Sequence, residues 1–115
     1  MKIKSKVKIG AHWVKVKWVN EIEGRIAQAV LPENRIELAR FWRDSDGTRY
    51  FIAESLLIEG FLHEIGHFIL FQSGYGEFTE NSDVELVNQA FCHGMLQVIR
   101  DNDLDFREEK CGRRS

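Results

Sequence analysis

Two histidines stand four residues apart in EGFLHEIGHFILF, residues 59–71, with a glutamate directly after the first. On a helix, positions i and i+4 project from one face about a turn apart, so His63 and His67 can offer ring nitrogens to a single tetrahedral zinc. Glu64 is badly placed to complete that chelate. It is well placed to reach a water in an open coordination position, whose pKa the metal lowers and whose proton a carboxylate can take. That is the mechanical content of H-E-x-x-H. The competing account makes His63 and His67 core histidines satisfied by backbone carbonyls. Two imidazoles and a carboxylate side by side on an apolar helix are expensive to bury unpaired, which weighs toward metal.

A catalytic zinc wants a third protein ligand. A second helix returning antiparallel would bring its early and middle turns level with the motif, and Glu85, Gln89 and His93 share one ridge of it. Glu85 is the preferred ligand and His93 the runner-up, the latter giving a three-histidine site; Asp83, Glu80 or a water are the remaining choices. Glu85 would also suit the first turn of that helix with no metal at all, because a carboxylate there favours the helix dipole. Cys92 reads as a small buried residue rather than a ligand.

These side chains need a scaffold. The alternation in KIKSKVKIGAHWVKVKWV predicts a hairpin within residues 1–20, broken at Gly10-Ala11. Its lysines (2, 4, 6, 8, 15 and 17) read as a solvated face that also protects a sheet edge. Trp13 and Trp18 read as core or interface residues. GRIAQAV and NRIELARFW flank LPEN, with the only proline of the chain, and predict a second hairpin over 24–41. RDSDGT is a polar loop. A long helix is expected over 49–73, with Ile52, Leu56, Leu57, Phe61, Ile65, Phe68 and Ile69 burying much of its circumference and Gly74 capping it. Val84, Val87, Phe91, Met95 and Val98 mark a second helix over 82–101, capped by Asn81 or Ser82, before a charged tail at 104–115. Gly66 is costly within a helix, which makes sense if another backbone segment packs closely there.

The 115 residues suit one domain with a small core. Hydrophobic content of 43% beside 30% charged residues excludes a disordered chain. A formal charge of −2 gives no global attraction to nucleic acid or anionic membranes, and no apolar run reaches the length of a membrane span or a signal peptide. Two cysteines without a CxxC suggest reduced thiols in a cytoplasmic setting. The expected fold class is α+β: an antiparallel sheet of two hairpins packed on the long HExxH helix and a second C-terminal helix.

LLIEGFLHEIGHFILF, then a loop, then ELVNQAFCHGMLQVIRDN, resembles the small HExxH proteins encoded by bacteriophages and prophages, related in plan to ImmA/IrrE-type and minimal gluzincin metallopeptidases. The resemblance spans about residues 24–103. It implies a minimal zincin-like fold, Zn²⁺ held by His63 and His67, and Glu64 as base. It extends to Glu85 as the acidic ligand on the next helix, although Asn88 and Gln89 stand where further acids would be expected. The longer HExxHxxGxxH pattern is absent, since Leu70 and Ser73 stand where it would need glycine and histidine.

The functional expectation is a zinc metallopeptidase acting on a peptide or protein substrate in the cytoplasm, the host's if the chain is phage-encoded. The strand NRIELAR is expected to pair with an extended substrate by strand addition. Tyr75 and His12 are candidates for stabilising an oxyanion. Three alternatives stand beside it: a catalytically silent zinc-binding domain that engages another protein, a nucleic-acid-associated module using the lysine hairpin, and a purely structural domain. Nucleic acid is the less favoured partner. Nothing in the sequence sets the oligomeric state.

Overall fold

The structure, a computed structural model, describes residues 2–74 and 84–105; in the first turns of the second helix it describes little beyond the backbone. Among the described residues six strands precede two helices: β1 (Lys6–Ile9), β2 (His12–Val19), β3 (Ala27–Val30), β4 (Arg35–Ala39), β5 (Phe41–Arg43), β6 (Arg49–Phe51), α1 (Glu54–Gln72) and α2 (Val84–Asn102). Both hairpins form. β1 pairs with β2 around Gly10, whose φ is +60°, and β3 pairs with β4 through a 3₁₀ turn at Leu31–Glu33 closed by left-handed Asn34.

The sheet is not antiparallel throughout, as the sequence suggested. Its order is β1-β2-β4-β3, with β2 and β4 parallel. The chain leaves β2, runs out to β3 at the far edge and turns back, so β4 slots between them in the direction of β2. Burial explains the order. Ile36, Leu38 and Ala39 of β4 are fully buried, whereas Gln28, Ala29 and Val30 of β3 keep partial exposure. The strand with most apolar surface to hide takes the central place.

One face of the sheet supplies Val7, Ile9, Val14, Val16, Ile36 and Leu38 to the core, and α1 supplies Phe61, Ile65 and Phe68. The other face is wet. Lys6 lies opposite Lys15, and Lys15 opposite Arg35, with Lys6 poised over the exposed Trp13 ring. Trp18 packs against the core instead. Among the described residues no helix is long and apolar enough to cross a membrane.

The helix expected over 49–73 begins only at Glu54, and a third hairpin takes its first residues. Aromatic residues at 41, 42, 50 and 51 favour strand. They pair across β5 and β6, with Phe41 opposite Phe51 and Trp42 opposite Tyr50. The tip at Asp44–Thr48 is held by its own polar groups: the Asp46 and Thr48 N–H groups donate to Asp44 Oδ1, at 3.1 and 3.0 Å. The Asp46 carboxyl is lowered to about 2 by hydrogen bonding with the Asp44 side chain, then with the Thr48 hydroxyl and N–H. At its other end α1 stops as expected, with Gly74 at φ +86° just past the Ser73 cap.

Helix α2 seals the edge of β1 with amides. The Lys8 N–H donates to Asn102 Oδ1 (2.8 Å), and Asn102 Nδ2 donates to the Lys8 carbonyl (2.8 Å) and to the Val98 carbonyl (2.9 Å). Gln97 adds an acceptor for the Gly10 N–H at 2.8 Å. Asn102 is only 5% exposed, so its loss strands polar groups that water reaches poorly. Asn102→Ala is expected to cost about 2–4 kcal/mol in urea unfolding, two or three bonds at about 1 kcal/mol each plus the stranded partners. An unchanged midpoint would show that the amide contributes nothing.

The expected caps Asn81 and Ser82, and the tail from residue 106, lie outside the described residues.

Candidate metal centre

His63 and His67 are exposed on one face of α1, while Glu64 between them is 8% exposed. The helix explains the difference. Phe61, Ile65 and Phe68 anchor one side in the core, which rotates positions 63 and 67 outward and leaves 64 at the boundary. The two Nε2 atoms stand 3.1 Å apart with the rings nearly perpendicular, at 81°. Zinc–nitrogen bonds of about 2.0–2.1 Å at a tetrahedral angle place two ligand nitrogens about 3.3 Å apart. The pair therefore already has the bite of a zinc chelate. A hydrogen bond between neutral imidazoles fits the same distance, though it leaves the adjoining buried carboxylate without a reason.

The three residues line a cleft of about 770 Å³ together with Arg25, Ile26, Ala27 and Leu56. Its second wall is the leading end of β3, held close to α1 because position 60 is glycine. A Cβ there would meet Ala27 Cβ at 3.3 Å and Ile26 Cδ1 at 3.4 Å.

Gly66 is explained on another side of α1. A Cβ there would lie 2.8 Å from Phe91 Cε2, so an α2 side chain, rather than a backbone segment, sits against the motif. Ile69 fills the matching notch at Gly94. This reciprocal packing fixes where α2 passes the motif.

Among the described residues no group of three His, Cys, Asp or Glu side chains stands ready to hold a metal. His93, exposed on α2, does not join His63 and His67 in such a group. The Glu85 side chain and residues Tyr75, Glu80 and Asp83 lie outside the described residues. His12, at the start of β2, is not among the cleft's lining residues. Cys92 is exposed rather than buried, on the solvent side of α2.

Two further corrections concern the substrate. NRIELAR cannot accept an added strand, because β4 is paired on both sides; the strand bordering the cleft is β3, at the sheet's edge. Arg25 and Glu59 are charged cleft residues that sequence reasoning missed. Arg25 adds a cation to the cleft lining, and its only signal was a charge just ahead of a strand.

Comparison with protein-family models, curated proteins and solved structures found no match.

Proposed function

We propose that the chain is a zinc metallopeptidase of the minimal gluzincin kind, with a zincin-like arrangement of edge strand and HExxH helix. The observation that carries the proposal is the His63–His67 nitrogen pair, exposed at chelating distance beside a nearly buried Glu64 and opening on a cleft. His63 and His67 would hold the ion, with Glu85 as third ligand. Bound zinc supplies Lewis acidity toward the scissile carbonyl and acidifies a water.

The rest falls to the chain's own groups. Glu64 accepts the proton of the attacking water and returns it to the leaving amine. Arg25 offers positive charge to the oxygen on which negative charge develops. β3, as a sheet edge, offers main-chain groups to an extended peptide.

Elemental analysis of protein purified without an affinity tag tests the proposal, with one zinc per chain expected. Protein that carries no transition metal, and whose melting temperature does not rise when zinc is added, would overturn it. Glu85→Ala is expected to weaken zinc affinity by orders of magnitude, while His93→Ala leaves it nearly unchanged. Equilibrium dialysis of both variants decides the ligand, and the reverse outcome would transfer the role to His93.

A further inference from the structure

We propose that a second groove, continuous with the candidate metal cleft, is a subsite for a bulky apolar side chain of an extended peptide, about four residues from the bond to be hydrolysed. The inference rests on the reading of the cleft as a peptide-hydrolysing site and names what that site selects.

The groove has a volume of about 680 Å³ and shares Arg25, Ile26 and Leu56 with the cleft, so the two form one trench. One wall is a single face of α1, where Leu56, Gly60, His63 and His67 recur at helical spacing. The other is the segment leading into β3. At the far end stand Phe41 and Trp42 of the third hairpin, with buried Ile52.

Folding does not account for this end of the trench. Leu56 is 47% exposed and Trp42 is 42% exposed, although the sequence marks Leu56 as a core position. The platform is also built before any ligand arrives. Trp42 stacks on Tyr50 (centroids 5.0 Å apart, 25° between planes), Phe41 packs on Phe51 at 4.7 Å, and the Arg49 guanidinium lies 3.6 Å from the Phe41 ring centre. Arg43 is tied to Glu21 at 2.7 Å across the rim. Aromatic surface held rigid in this way binds with little entropy left to lose.

The neighbouring strand identifies the occupant. A trench that borders a sheet edge offers backbone hydrogen bonds in register with a pocket for a side chain, which is how extended peptides are recognised. Lipids and nucleobases have no use for that ladder. The paired Arg43 and Glu21 also leave the rim without the excess of cations that a polyanion needs. Distance sets the position. From Leu56 to the midpoint of His63 and His67 the helix rises about 13 Å. An extended chain covers that in about four residues at about 3.3 Å each.

The test uses Glu64→Gln protein with zinc added and fluorescent decapeptides in which one phenylalanine walks through a polar sequence. Binding is read by anisotropy, and cleavage by the wild type is read by mass spectrometry. Phenylalanine is expected to tighten binding at least tenfold over serine. Trp42→Ala should abolish that advantage while leaving the all-polar peptide unchanged, Leu56→Ser should also abolish it, and Trp42→Phe should keep most of it. In cleaved peptides the phenylalanine should stand at a fixed offset of three to five residues from the cut. Phenylalanine-selective binding without cleavage would support the subsite and remove the hydrolytic reading. Cleavage indifferent to phenylalanine or to Trp42, or no binding of any peptide, would overturn the subsite.

Discussion

Glu64→Gln is expected to lower peptide hydrolysis by about 10²–10⁴-fold while leaving zinc content at the wild-type level. The amide nearly matches the carboxylate in shape, so a side chain only 8% exposed can be exchanged without opening the core. It cannot accept a proton, and the cleft's other described carboxylate, Glu59, stands a helical turn before His63 rather than within the motif. Turnover and elemental analysis of the same preparation read both halves of the prediction. A variant that turns over normally would remove Glu64 as base. One that loses its zinc would make it a ligand or a fold-critical residue.

His67→Ala should bring bound zinc well below one equivalent and abolish the rise in melting temperature on zinc addition. With zinc at one hundred times its dissociation constant, that linkage is worth about 2.7 kcal/mol in the wild type. Metal-free stability, by contrast, should barely change. His67 is exposed, and the interaction it gives up is an imidazole–imidazole contact at the surface, worth at most about 1 kcal/mol. The contrast separates a ligand from a structural histidine. If His67→Ala destabilised the metal-free protein as much as the zinc-loaded one, the pair would be serving the fold.

Gly60 and Gly66 show how the motif and the packing around it constrain each other. Both lie on the helix that carries the histidines, and both cost helix propensity of about 1 kcal/mol relative to alanine. Gly60 admits β3 to the edge of the cleft, and Gly66 admits the Phe91 ring against the motif. A sequence that tolerates two glycines in one helix is recording close neighbours on two of its faces, though it does not say which neighbours.

What the sequence by itself determined was local. Period-two alternation placed β1 and β2, turn residues placed the β3–β4 hairpin, and apolar spacing placed α1 and α2 with the histidines one turn apart. Each of these rests on contacts within a few residues, where side-chain type and spacing suffice. Tertiary structure decided the rest. Strand order followed from competition for the buried centre of the sheet: β4, with the most apolar surface, went between β2 and β3, and this made β3 rather than NRIELAR the edge at the cleft. Leu56 has core chemistry at a helical position, yet the third hairpin and the segment before β3 stand far enough apart to leave it lining a groove. Arg49–Phe51 carry enough apolar character to extend a helix, but became a strand because Phe41–Arg43 offered partners across a five-residue turn. In each case the outcome depended on which surface, distant along the chain, was available to cover a residue, and that is settled only when the layers pack.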